Sequence, residues 1–220
     1  MKSSAVYGAA LIAGALGMSV TMAFHPTAHD LLAPGGGAAR GGKALAAATH
    51  SLALASTPVL FFGFLGLSRR LGAGRPLVSA ALVAYAFGAV AVVTAAVASG
   101  LVAPALTRQM LASDEATREA LHRIFRYNGL LNQGFAKVYV VASSFAVVCW
   151  SLAVYGFGRF ARVVAAFGCT AGLLSLAAFS AGHLHLDVHG FGLFVFAQSA
   201  WVVLAGVLLC RRGNWPPAGG

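Results

Sequence analysis

The sequence predicts an all-α membrane protein whose single domain, residues 1–220, crosses the bilayer about six times. Three observations predict this fold class: 59% of the residues are hydrophobic, only 9% are charged, and the apolar residues fall into six long runs. A soluble domain carries about 25% charged residues, which a water-facing surface requires. The deficit of charge therefore indicates that most of the chain faces lipid or other helices.

The six apolar runs are the predicted membrane spans, because each is close to the ~20 residues that a helix needs to cross the hydrocarbon core. Most of the charged residues lie between the runs rather than within them. The predicted spans are approximately residues 4–24, 50–67, 76–102, 129–155, 160–180 and 190–210.

The first run has a second interpretation, as a cleaved signal peptide. Its end contains Thr21-Met22-Ala23, a small-x-small sequence at which cleavage would leave five spans. However, the apolar core of a signal peptide is only ~7–15 residues long. Because the run is longer than that, we interpret it as an uncleaved helix.

A short amphipathic helix is predicted over residues 114–127. Ser113 can cap it, and Asp114 and Glu115 would lie in its first turn, where acidic residues are favourable. Apolar residues then recur at helical spacing, at Ala116, Ala120, Leu121, Ile124 and Phe125. We expect this helix to lie on the membrane surface and to lead into the fourth span. The segment 214–220, rich in Pro and Gly, is predicted to be disordered.

The basic residues predict the orientation of the chain. Six spans place both termini on one side, which carries the larger set of basic residues: Lys2, Arg69, Arg70, Arg75, Arg159, Arg162, Arg211 and Arg212. Loops rich in Lys and Arg are typically cytoplasmic. All five acidic residues and all seven histidines fall on the other side. We therefore predict a cell-membrane protein, of a bacterial inner membrane, with both termini cytoplasmic and the histidine-rich loops outside.

The net charge of +10 does not indicate a nucleic-acid-binding protein. Such proteins cluster their basic residues on one face. Here the basic residues are scattered in ones, twos and threes between apolar runs, so the predicted partner is the lipid bilayer.

Histidines and carboxylates form two candidate metal-binding clusters. In the first, His183, His185, Asp187 and His189 would share one face if the segment is extended, and would pair at i,i+4 if it is helical. The second cluster ends the first span and contains Met18 and Met22 followed by His25, His29 and Asp30; His50, at the start of the second span, could join either cluster. Imidazole and carboxylate ligands suit Zn, Cu or Ni. The alternative is that the histidines are ordinary interfacial residues and the methionines fill the core.

The fourth span is the most polar of the six. Arg126, Gln133, Lys137 and Ser144 lie within about 40° of each other at 100° per residue, and a second stripe contains Asn128, Asn132, Tyr139 and Ser143. We expect so polar a helix to run through the middle of the bundle. Counted from Asn128, Lys137 would be ~14 Å deep, near the midplane. Lys137, Arg126 and Gln133 are therefore candidate residues for binding a cofactor or a small-molecule ligand.

These features leave three functions open. The first is the binding or transport of a transition metal ion at the outer face. The second is a heme- or quinone-linked redox enzyme. The third is the binding of a lipid or small molecule without metal. Heme b would require two facing histidines, with Arg126 and Lys137 available for its propionates. No nucleophile elbow, P-loop or HExxH motif is present to indicate another enzyme class.

Overall fold

The computed structural model describes residues 2–25, 36–184 and 186–211, with the backbone alone at 2, 3 and 36–43. The described chain contains α-helices and one π-helical turn, and no strand. In chain order these are α1 (Lys2–Ala23), α2 (Gly36–Leu71), α3 (Pro76–Val97), the π-turn (Ala98–Val102), α4 (Ala103–Ala112), α5 (Glu115–Val154), α6 (Arg159–Ser180) and α7 (Val188–Cys210).

Among the described residues, six helical segments are long and apolar enough to cross a membrane, which confirms the predicted fold class. They are Ser4–Ala23, Ala44–Leu71, Pro76–Ala112, Glu115–Val154, Arg159–Ser180 and Val188–Cys210. Each covers one of the six predicted spans, except that Phe24 and Tyr155 follow the ends of the first and fourth segments. The second, third and fourth segments are longer than predicted, at 28, 37 and 40 residues. The predicted disordered segment 214–220 lies outside the described residues.

The predicted amphipathic helix is helical, but it is the first part of α5 rather than a separate element. Asp114, not Ser113, caps the helix: its carboxylate accepts a hydrogen bond from the Thr117 amide at 2.8 Å. This hydrogen bond lowers the pKa of the Asp114 carboxyl. No proline interrupts the chain between this part and the following span, so α5 continues for 40 residues, or about 60 Å.

The extra length of α5 packs against α4. These two helices are joined by only two residues and contact each other as a hairpin. The part of α5 before Gln133 extends beyond the start of α7, because Gln133 bonds to Leu186. Arg118 on α5 closes the hairpin, because its guanidinium donates hydrogen bonds to the carbonyl oxygens of Met110 at 3.3 Å and Ser113 at 3.1 Å. The same guanidinium pairs with the Glu115 carboxylate at 2.9 Å. These contacts explain why the segment packs on a neighbouring helix instead of lying apart from the bundle.

The spanning helices form a closed ring. α1 packs between α2 and α7, and α5 packs between α3 and α6. Contacts between α2 and α3 and between α6 and α7 complete the ring. The result is two layers of three helices, with the core between them.

The described histidines lie at one end of the bundle, the end at which α1 ends and α7 begins. His25 contacts His50 there, and His183 and His189 flank the start of α7. Described basic residues mark the opposite end, where Arg69 donates to the Tyr7 hydroxyl at 3.1 Å and Arg211 lies over the Phe160 ring. Which of the two ends faces the cytoplasm stays a prediction.

Glycines allow α1 to pack closely on both sides. Gly8 and Gly206 meet where α1 crosses α7, and Gly14 and Gly63 lie at the contact with α2. Without a side chain, the two backbones can approach each other directly, as is usual between membrane helices. This packing fixes the rotation of α1 and therefore the direction in which its other face points.

Gly206→Ala is expected to lower the free energy of unfolding by roughly 1–3 kcal/mol, as overpacking does. A Cβ atom at Gly206 would lie only 2.8 Å from the carbonyl oxygen of Gly8, which is backbone and cannot rotate away. The measurement is thermal unfolding in detergent. Gly129→Ala is the matched control, because a Cβ atom at Gly129 meets open space. Equal stability of the two variants would contradict the close crossing of α1 and α7.

Aromatic side chains fill the centre of the bundle. Phe64 of α2 stacks on Trp150 of α5 with ring centroids 4.4 Å apart, and Tyr85 and Trp201 pack around this pair. The Trp150 indole donates to the Ser68 hydroxyl at 3.0 Å, so its polar atom is satisfied within the core. The centre of the bundle is therefore occupied, and open space is found nearer the histidine end.

Candidate functional site

A cavity of about 330 Å³ opens at the histidine end of the bundle, between α1, α2, α3, α5 and α7. Its wall is mostly apolar. The lining residues whose side chains contain nitrogen, oxygen or sulfur are Met18, Thr21, Met22, His25, His50, Ser99, Asn132, Gln133 and Asp187. A cavity of this size and lining is typical of a site for a small ligand.

His50 is the most buried histidine that the structure describes, at 4% exposed. Its Nδ1 lies 2.7 Å from the carbonyl oxygen of Ala46, one turn earlier in α2. A carbonyl oxygen only accepts hydrogen bonds, so Nδ1 must carry the proton. In the neutral ring the lone pair is then on Nε2, which points to Ser99 at 2.9 Å.

The Ser99 hydroxyl has two possible acceptors. Its Oγ lies 2.9 Å from Nε2 of His50 and 2.8 Å from the carbonyl oxygen of Ala95. The hydroxyl can therefore turn from Nε2 to Ala95 without losing its hydrogen bond. Nε2 of His50 can thus be released to bind another partner at little cost.

The π-turn brings Ser99 to this position. Pro104 lacks a backbone N–H and cannot donate to the carbonyl of Gly100, as an α-helix would require. Instead the Ala103 amide donates to the carbonyl oxygen of Ala98, and the Asn128 side chain donates to the same oxygen at 2.9 Å. π-turns of this kind are frequent at functional sites.

His25 reaches the cavity from the end of α1. Its ring lies edge-on to the His50 ring, with the centroids 4.9 Å apart. The Thr21 hydroxyl donates to the carbonyl oxygen of Thr49 at 3.2 Å, which ties α1 to α2 beside the two rings. Met18 and Met22 lie one turn apart on α1 and line the same cavity as His25.

The start of α7 forms the rim of the cavity. Asp187 caps α7, since its carboxylate accepts a hydrogen bond from the Gly190 amide at 2.7 Å. The Gln133 side chain donates to the carbonyl oxygen of Leu186 at 3.0 Å, which joins α5 to this loop. Asn132 lies next to Gln133 in the wall.

The structure brings together only part of the predicted set. His25, His50, Asp187 and Gln133 share the cavity. His183 and His189 are exposed and do not line it. His29, Asp30 and His185 lie outside the described residues. Within the described ranges, no three His, Cys, Asp or Glu side chains come together closely enough to hold a metal ion.

The first polar stripe on α5 is buried only at Ser144, so the predicted burial of Gln133 and Lys137 is wrong. Arg126, Gln133 and Lys137 are exposed, whereas the second stripe turns inward: Asn128 bonds to the π-turn, Asn132 lines the cavity and Ser143 is buried. Arg126 and Lys137 do not line the cavity. Sequence periodicity identified both stripes but could not tell which of them faces the neighbouring helices.

The position of Lys137 along the bundle follows from the contacts of α5. Gln133 bonds to Leu186, just before α7 begins, and Lys137 follows Gln133 by four residues, or about 6 Å along the helix. Lys137 therefore lies about one turn inside the start of α7. Its depth in a membrane stays a prediction.

Ser99 and Thr21 are not among the predicted site residues. Both are small hydroxyl residues inside apolar runs, where they usually bond to their own helix. The only available signal for Ser99 was Pro104, five residues later, which predicts an irregular helix.

Comparison of the chain with protein-family models, with curated proteins and with solved structures found no match.

Proposed function

We propose that the protein binds a transition metal ion in the cavity at the histidine end of the bundle, as a metal-binding or metal-transporting membrane protein. The observation that carries this proposal is the meeting of His25, just after α1, with His50 of α2 in a cavity that Met18 and Met22 also line. Imidazole nitrogen and thioether sulfur are both ligands for transition metals.

The hydrogen bonds of His50 support this proposal. Histidines that bind metals usually donate their other ring N–H to a carbonyl or carboxylate, which fixes the tautomer and the ring orientation. The bond from Nδ1 of His50 to Ala46 is of this kind, and it leaves Nε2 directed into the cavity region. Ser99 keeps Ala95 as an acceptor when Nε2 binds an ion.

His50→Ala is expected to lower metal affinity at least tenfold, because one of the two imidazole ligands is lost. The measurement is competition with a chromogenic chelator, using Zn(II), Ni(II) and Cu(I) in turn on the full chain purified in detergent. His189→Ala is the control, since His189 is exposed and does not line the cavity. Wild-type protein that binds none of the three ions more tightly than millimolar, or a His50→Ala variant with wild-type affinity, would overturn the proposal.

A second candidate function is the binding of a small organic molecule such as a quinone or a lipid. The size of the cavity and its mostly apolar wall favour this alternative. Ser99, Asn132 and Gln133 would then orient the polar end of the ligand. Extraction of the purified protein with organic solvent, followed by mass spectrometry, would detect such a ligand, and a metal-free protein with a stoichiometric organic ligand would favour this function.

Heme b has less support as an occupant. Two histidines that bind one iron from opposite sides, through bonds of ~2 Å, hold their ring centroids about 6 Å apart and face the iron. His25 and His50 instead meet edge to face at 4.9 Å. Arg126 and Lys137, the candidate partners for the propionates, do not line the cavity. A visible spectrum of the purified protein tests for heme directly.

A further inference from the structure

The methionines of α1 indicate which kind of metal the cavity would hold, an inference that rests on the function proposed above. Met18 and Met22 lie one turn apart and are 5% and 8% exposed. Both line the cavity, as does His25, two residues after the end of α1, and His50 completes the group from α2. Four residues with nitrogen or sulfur donor atoms thus line one cavity.

The two methionines belong to the buried core and also border the cavity. A methionine often fills an irregular gap in a core. Met18 lines both the main cavity and a second one of about 10 Å³ beside Tyr85 and Tyr139. The methyl group of Met22 packs near Gly192, 3.6 Å from the position that a Cβ atom would take there. Packing accounts for the burial of both residues, and their place in the cavity wall makes both thioethers candidate ligands.

The charge of the donor groups favours a monovalent ion. Thioether sulfur and neutral imidazole carry no charge, so a bound ion keeps its full charge within a mostly apolar wall. The cost of taking an ion out of water rises with the square of its charge, and this cost is large in a medium of low polarity. The Asp187 carboxylate lies at the exposed rim, where it already caps α7. A divalent ion would thus be far less well compensated here than a monovalent one.

The chemical softness of the donor atoms also favours a monovalent ion, Cu(I). Thioether ligands select soft ions, of which Cu(I) is the first-row representative, whereas Zn(II) is more often held by thiolate, imidazole and carboxylate. We infer that the cavity is a Cu(I) site formed by the thioethers of Met18 and Met22 with the imidazoles of His25 and His50.

The test compares Cu(I) with Zn(II) on wild-type protein and on a Met18→Leu, Met22→Leu double variant, by chelator competition under reducing, oxygen-free conditions. Leucine has nearly the same volume as methionine, so the fold is expected to tolerate both changes. Met110→Leu is the control, because Met110 is also 8% exposed but lies in α4, away from the cavity. The expected result is Cu(I) binding that the double variant weakens at least tenfold and the control leaves unchanged.

The possible failures are distinguishable. If Zn(II) or Ni(II) binds more tightly than Cu(I), or if the double variant keeps wild-type Cu(I) affinity, the Cu(I) inference is overturned while the proposed metal function stands. If no metal binds, both are overturned. Copper-edge X-ray absorption of the Cu(I)-loaded wild-type protein serves if the double variant does not fold. Scattering from sulfur supports the inference, and a shell of nitrogen and oxygen alone overturns it.

Discussion

Trp150→Ala is expected to lower the free energy of unfolding by about 3–5 kcal/mol, the usual cost of truncating a buried tryptophan. Trp150 is fully buried at 0% exposed and stacks on Phe64 with the ring planes only 3° from parallel. It also contacts the Tyr85 and Trp201 rings, so its removal opens a cavity that three helices border. In addition, the Ser68 hydroxyl loses the indole that donates to it.

Unfolding by heat or by a denaturing detergent measures this effect. Leu152→Ala is the control on the same helix, because Leu152 is 55% exposed and its truncation leaves no internal cavity. We expect the control to change stability far less than Trp150→Ala does. A Trp150→Ala protein as stable as the control would show that the two layers of helices do not meet on this aromatic core.

The fold class and the spans could be predicted because they depend on composition and on the length of apolar runs. Water cannot solvate the backbone inside a bilayer, so long apolar runs must be helical. The ends of the helices depend on contacts between segments distant in sequence. In α5, Arg118 donates hydrogen bonds to the carbonyl oxygens of Met110 and Ser113, and these bonds hold the polar first part of the helix beside α4.

The candidate site was predictable only in part. The sequence predicted a cluster of Met18, Met22 and His25 at the end of the first span, because the three residues are close together along the chain. Bringing His50 beside them depends on the bond between Thr21 and Thr49 and on the glycine contacts of α1, which no local pattern encodes. Arg126 and Lys137 were predicted to bind a ligand because they are polar residues in or beside an apolar run. The packing of α5 instead leaves both exposed and outside the cavity wall.

The π-turn connects this packing to the chemistry of the site. It brings Ser99 to the Nε2 atom of His50 and places Gly100 directly against the same ring. A Cβ atom at Gly100 would overlap both the Cβ and the Cγ of His50. The glycine is therefore what allows α2 and the π-turn to approach each other closely enough for the hydrogen bond between Ser99 and His50.

Gly100→Val is expected to reduce metal affinity at least tenfold and to lower the free energy of unfolding by about 3 kcal/mol, at the upper end of the usual cost of overpacking. The overlapping atoms of His50 lie next to its backbone, so no side-chain rotation relieves the clash and α2 must move. This movement would draw His50 away from both Ser99 and His25.

Chelator competition and thermal unfolding on one preparation measure both effects. Gly134→Val is the matched control, because a Cβ atom at Gly134 meets nothing within 4 Å. If Gly100→Val and the control both keep wild-type metal affinity, metal binding does not require the contact between His50 and the π-turn.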